Sequence, residues 1–222
     1  MEFSRFTVHD APQGTPEWLQ ARVGYVTGSR ADAVCASKKD GKAWSARASY
    51  ITDIVLERMT GERSEDIAVT PWMARGKALE ADARAALEIK LNTLILECGF
   101  LQSKTIPLVG CSIDGYTAEG QIVELKVPKP KTHLKYLADP MAFVSTYLMQ
   151  CSHNLLVTGA PLCYLASFCP SLPPSMRLIV EEIHAGLAET YYTTYLTPFL
   201  EDVDEEMRKW AQFQLAVIAQ EA

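Results

Sequence analysis

The chain has 222 residues, of which 48% are hydrophobic and 22% charged, a balance that points to a soluble globular protein with one domain over residues 1–222. No run approaches the roughly 20 apolar residues that a membrane-spanning helix requires. A formal net charge of −6 argues against a protein that coats nucleic acid unselectively; an acidic DNA enzyme has to gather its lysines and arginines on one surface or channel.

The opening segment MEFSRFTVHDAP lacks a basic stretch followed by an apolar one, so a cytoplasmic location is expected. The cysteines (Cys35, Cys98, Cys111, Cys151, Cys163 and Cys169) form no C-x-x-C pair and read as reduced, buried thiols. Thr15-Pro16 predicts a helix N-cap with Pro in the first turn, and Gly24 stops that helix. Ser29 is placed to cap a second helix through Ala36. Lys38-Lys39-Asp40-Gly41-Lys42 reads as a basic loop, and a longer helix starts at Ser45 and ends at Gly61.

One helix is expected from Trp72 to about Leu91, with Leu79, Ala83, Ala86 and Leu87 as its buried stripe. Glu80 falls about 20° from Leu87 at 100° per residue, on the edge of that stripe. Strands follow in LILECGFL and TIPLVGCSI, then a tight turn at Asp114-Gly115 and a strand in GQIVELKVP. A helix over 142–157 comes next, then strands near CYLASF and MRLIVEEI. The C-terminal segment is helical in composition and is expected to break at Thr197-Pro198. This order predicts an α/β fold with a mixed central β-sheet flanked by helices.

In Val123-Glu124-Leu125-Lys126-Val127 the side chains alternate, so Glu124 and Lys126 project together opposite an apolar face. Asp114 precedes Glu124 with nine residues between them, which lets a hairpin bring its carboxylate alongside. Two carboxylates and an ammonium suit phosphodiester hydrolysis with Mg²⁺, a hard cation that takes oxygen ligands. The same D-x9-E-x-K pattern also describes an exposed salt bridge on a sheet face, and spacing alone does not choose between them.

Six ordered pieces of the chain resemble the phage lambda exonuclease branch of the PD-(D/E)xK nuclease superfamily. They are Trp18-x3-Arg22-x-Gly24-x2-Thr27-x-Ser29, Gly41-Lys42-x-Trp44, Arg75-Gly76-Lys77-x2-Glu80, Ser112-Ile113-Asp114-Gly115, Glu124-Leu125-Lys126-x-Pro128 and Tyr147-x2-Gln150. The resemblance implies a restriction-endonuclease-like core and a 5′-to-3′ exonuclease on linear double-stranded DNA that leaves 3′ overhangs. It implies one or two Mg²⁺ (or Mn²⁺) ions held by Asp114, Glu124 and the Leu125 carbonyl, with Glu80 acting through water. Lys126 would position the attacking water, as base or electrostatic clamp, and Gln150 would join the network. Glu80 alternatively forms a surface pair with Arg84.

By the same resemblance Arg22, Ser29 and Ser112 would hold the 5′-phosphate of the degraded strand. Lys38, Lys39, Lys42 and Arg47 correspond to a DNA-contacting arm or, alternatively, a solvated basic loop. Met73 corresponds to a wedge at the terminal base pair or a core methionine. Lys129, Lys131, His133 and Lys135 form a second basic patch, while His153 either approaches the site or packs in the core. The family forms a ring-shaped homotrimer and works beside a single-strand annealing protein; no membrane is involved. Ile113 replaces the Pro of the superfamily motif, and Ser152 replaces a second glutamine common in the family. The competing expectations are another PD-(D/E)xK endonuclease or exonuclease, a non-catalytic DNA-end-binding scaffold, and an acidic interaction module.

Overall fold

A computed structural model describes residues 1–37, 42–64 and 71–221, and within them all side chains except those of residues 42, 43, 72, 73, 220 and 221. Lys38, Lys39 and the side chains of Lys42 and Met73 therefore lie outside the described residues.

Helix α1 (Pro16–Ala21) begins as local chemistry dictates: the Thr15 side chain accepts from the Trp18 N–H at 3.3 Å. Gly24, at φ +72, then reverses the chain. After β2 (Val26–Thr27) a 3-10 turn, Gly28–Arg30, leads into α2 (Ala31–Cys35). Ser29 is not the cap it was expected to be; its hydroxyl is engaged elsewhere. Helix α3 (Lys42–Thr60) starts ahead of Ser45. The single helix expected over 72–91 is two, α4 (Pro71–Ala78) and α5 (Glu80–Leu91), with Leu79 between them at φ −101 and ψ 1. Ala83 and Leu87 keep the expected stripe and are fully buried.

The expected sheet is in fact two mixed sheets. One has the order β1 (Phe6–His9), β4 (Phe100–Ser103), β5 (Val109–Cys111), β2, with only β2 and β5 parallel. The other runs β3 (Ile95–Leu96), β6 (Gly115–Thr117), β7 (Ile122–Lys126), β8 (Leu162–Phe168), β9 (Leu178–His184), with only β7 and β8 parallel. The LILECGFL run is divided between them near Gly99. A Cβ on that glycine would sit 1.9 Å from the His9 carbonyl oxygen, so the crossing point admits no larger residue.

Between the parallel strands run α6 (Pro130–Ala138) and α7 (Pro140–Thr158), the crossover that parallel pairing requires. Helix α6 was not expected; Pro130 at its first turn is the signal that marks it. Strand β7 is thus covered on both faces. Val123 and Leu125 pack with Ala83 and Leu87 of α5, whereas Ile122 packs in the larger core with Leu155 of α7. The even-numbered face, carrying Glu124 and Lys126, therefore looks at α7.

At the C-terminal end, α8 (Ala188–Tyr191), a π-helical turn (Tyr192–Leu196) and α9 (Thr197–Glu221) form a continuous path. The expected break at Thr197-Pro198 is absent because the wider π turn relieves the clash and missing N–H that proline brings. Arg47, assigned to a DNA-contacting arm, is turned inward. It is 5% exposed, donates to the Val34 carbonyl at 2.5 Å and Asp202 at 2.6 Å, and lies 4.8 Å from the Phe199 ring. It ties α3 to α9 and leaves no guanidinium for phosphate. Among the described residues no helix is long and apolar enough to cross a membrane.

His153 packs in the core, between the Tyr191 hydroxyl (3.0 Å) and the Gly110 carbonyl (2.9 Å). Burial lowers its pKa to about 4. The unfolded chain, with a histidine near 6.5, takes up the proton first, so this stability is complete above that pH and is lost as pH falls toward 4. Urea unfolding should show this site costing the wild type roughly 2 kcal/mol between pH 7 and pH 5. His153→Gln, which cannot titrate, should show a correspondingly flatter dependence; identical slopes would rule the site out as the source.

Candidate active site

Glu124 is 3% exposed, which disposes of the surface salt bridge as an account of this strand. Its Oε1 accepts from Lys126 Nζ and Gln150 Nε2, both at 2.6 Å, and its Oε2 accepts from Asn154 Nδ2 at 3.0 Å. Lys126 Nζ also donates to Gln150 Oε1 at 3.1 Å and lies 4.6 Å from the centre of the Tyr147 ring. Burial alone would lower the lysine's pKa, but the carboxylates of Glu124 and Asp114 more than offset it and hold the ammonium charged. Tyr147, Gln150 and Asn154 fall on one face of α7 by helical spacing. Asn154 was missed in the sequence, although that spacing could have found it.

Asp114 reaches the same place from the start of β6. The hairpin turn lies beyond Thr117, not at Asp114-Gly115, and Gly115 pairs with Val123 in antiparallel register. Asp114 N donates to the Val123 carbonyl at 3.0 Å, and its Oδ2 accepts from the Leu125 N–H at 2.6 Å. Where the superfamily has proline, the Ile113 carbonyl is pinned by Gln13 Nε2 at 2.7 Å, which also donates to the Cys98 carbonyl at 3.3 Å.

Burial and the facing charge of Glu124 raise the Asp114 pKa to about 8. Two carboxyls crowded in a recess are what a divalent cation relieves, so the donor set fits a hard metal ion. Among the described residues no three His, Cys, Asp or Glu side chains stand close enough to enclose a metal unaided. Backbone oxygen or water must then complete any coordination. Glu80 lies at the periphery: Arg84 (3.1 Å) and Lys77 (3.2 Å) pair with it, and its charge adds to those that raise Asp114. The pair with Arg84 is thus present, as the helical spacing allowed.

Two residues before Asp114, Ser112 Oγ accepts from Arg22 Nη1 at 2.8 Å. The other arm of that guanidinium donates to Ser29 Oγ at 3.1 Å and Thr27 Oγ1 at 3.4 Å, with the Trp18 ring 4.4 Å away. Arg22, Ser29 and Ser112 are thus brought together, and Thr27 joins them. Arg22, Thr27 and Ser29 line a cavity of about 500 Å³ together with Arg30, Arg63, Asp53 and Glu57. Burial lowers the Arg22 pKa without removing its charge.

Residues 17–161 match the sequence profile of the YqaJ-like viral recombinase domain, well over half of the chain. The chain belongs to this family. It is a nuclease. The fold is similar to the alkaline exonuclease LHK-Exo of Laribacter hongkongensis, at 26% identity and TM-score 0.73, covering 90% of this chain and 100% of that one. A second structure of LHK-Exo, in complex with dAMP, gives 27% identity, TM-score 0.72 and the same coverage. A phage-related exonuclease from Haemophilus somnus 129PT shares the fold at 9% identity and TM-score 0.56, over 89% and 96% of the two chains. A search of curated protein sequences finds no match.

The remaining residues expected from this family fall on both sides of the surface. Lys129, Lys131 and Lys135 are exposed on and beside α6, directly after the strand that carries Lys126. His133 leaves that basic patch: it is fully buried, with Nδ1 at 2.7 Å from Ser167 Oγ and Nε2 at 3.0 Å from the Met176 carbonyl. Burial lowers its pKa, so it adds no charge to the patch. Ser152 is buried and makes no side-chain hydrogen bond to the site.

Proposed function

We propose that this chain is a Mg²⁺-dependent exonuclease that degrades the 5′-ended strand of linear duplex DNA, releasing 5′-mononucleotides and leaving a 3′ single-stranded overhang. The observation that carries it is adjacency. The arginine pocket and the carboxylate pair share the segment Ser112–Asp114, so a 5′-phosphate held by Arg22 lies a residue or two of extended chain, about 7 Å, from Asp114. That separation suits the first internucleotide linkage and gives a single nucleotide per cut.

A divalent cation, when bound by Asp114, Glu124 and the Leu125 carbonyl, supplies Lewis acidity toward the phosphodiester; Mn²⁺ fits the same oxygen set. Lys126 is held charged, with its donors aimed between Glu124 and Gln150, where it can orient the attacking water and stabilise charge building on phosphorus. Gln150 fixes that lysine and its carboxylate at once. Glu80 contacts the site through water. Arg22, Ser29 and Ser112 hold the terminal phosphate through a bidentate fork and hydroxyl donors. Lys129 and Lys131 bind the backbone of the approaching duplex, as do Lys38, Lys39 and Lys42, and Met73 separates the last base pair.

An acidic protein can hold DNA in this way if copies of the chain close into a ring with their basic residues inward, and we assign it a homotrimer. The outer half of α9 exposes Trp210, Phe213 and Ile218, an apolar surface available for such assembly. The enzyme would act in the cytoplasm of a bacterial host beside a single-strand annealing protein that coats the exposed strand.

Digestion of linear duplex labelled separately at each end, with and without Mg²⁺, tests the reading. The 5′ label should appear as mononucleotide at once and only with the metal, while closed circular DNA stays intact. Early release of the 3′ label, or ready cutting of the circle, would replace this reading with another nuclease class.

A further inference from the structure

Asn154 is 1% exposed and lies one turn beyond Gln150 on α7. An ionised carboxylate offers about four lone-pair sites. On Glu124, Lys126 and Gln150 occupy Oε1 and Asn154 occupies one position on Oε2. The remaining lone pair is therefore on Oε2, and the Asn154 amide determines where it points.

The other end of that amide, Oδ1, is buried without a hydrogen-bond partner. It is packed against Gly28, where a Cβ would come within 2.5 Å of it. Gly28 stands between Thr27 and Ser29, whose hydroxyls accept from Arg22. One buried side chain thus spans the distance between the metal-facing carboxylate and the turn that carries the phosphate pocket.

We propose that Asn154 is a positioning residue that fixes which oxygen of Glu124 faces the cation and sets the spacing between that carboxylate and the Thr27–Ser29 turn. Metal holding and recognition of the 5′-phosphate are coupled through it. The inference rests on the nuclease reading above. Leucine in its place fills similar volume but donates nothing, so Oε2 is free to turn. An alanine at position 28 pushes on the same amide from its other end, and its Cβ also comes 3.3 Å from the Gln150 carbonyl oxygen.

The test compares Asn154→Leu, Asn154→Ala and Gly28→Ala with wild type in two measurements, after circular dichroism has established that each is folded. The first is Mn²⁺ binding to the DNA-free protein, followed by electron paramagnetic resonance. The second is the ratio of digestion rates on 5′-phosphate and 5′-hydroxyl ends. Mn²⁺ affinity should fall by about tenfold or more in the Asn154 variants, and the phosphate preference should shrink several-fold in all three. Wild-type affinity in both Asn154 variants overturns the inference, as does a phosphate preference that survives in both of them. A wild-type protein that neither binds Mn²⁺ nor digests DNA overturns the nuclease reading, and this inference with it.

Discussion

Asp114→Asn should lose Mg²⁺-dependent digestion by about 10³-fold or more, since roughly 4 kcal/mol of transition-state stabilisation is at stake, and should still melt at a higher temperature than wild type in metal-free buffer. The two effects have one cause. In the folded protein burial and Glu124 raise the Asp114 carboxyl to about 8, against about 4 in the unfolded chain. The folded state binds the extra proton between those values, so metal-free stability falls as pH rises through that window. Asparagine carries no charge to bury and keeps an oxygen for the Leu125 N–H. Each kcal/mol recovered should raise Tm by about 2–4 °C in a chain of this size. Mg²⁺ should raise the wild-type Tm and leave the variant unmoved, and Glu124→Gln should be equally inactive. Full activity in either variant, or a metal response preserved in Asp114→Asn, would remove these residues from the metal site.

The second large effect concerns the end of the substrate. Wild type should digest a 5′-phosphorylated duplex about 10–100 times faster than the 5′-hydroxyl form, the range that charge-assisted hydrogen bonds of about 1.5–3 kcal/mol support. Arg22→Ala should bring the two rates close together by slowing digestion of the phosphorylated end. Arg22→Lys keeps the charge but loses the fork that now reaches Ser112 and Ser29, so it should fall between them. Steady-state rates on matched oligonucleotide duplexes decide the matter; equal wild-type rates on both ends would leave the pocket without its phosphate.

Much of this was legible in the sequence where the determinant is local. Thr15 and Pro16 start a helix by their own chemistry, and alternation along Val123–Val127 places Glu124 and Lys126 on one side of a strand. What alternation leaves open is whether that side meets water. Helix α7 covers it, and the covering turns a generic ion pair into a buried site. Arg47 shows the converse failure. Its position in a basic stretch suggested solvent, but Asp202, distant in sequence, draws it inward. Asn154 escaped notice for the same reason: it matters through Glu124, 30 residues away in the chain.

The segment that the family profile matches, residues 17–161, ends just before β8 begins at Leu162. Yet β8 pairs with β7 from Ile122 to Lys126, along the whole strand bearing Glu124 and Lys126. Gln13, which clamps the backbone ahead of Asp114, falls outside at the other boundary. A fragment trimmed to the matched segment would leave its most important strand as an open edge, with unpaired backbone groups and a tendency to aggregate. The segment that the family profile matches is thus smaller than the unit that builds the site, and the flanks beyond it serve as its scaffolding.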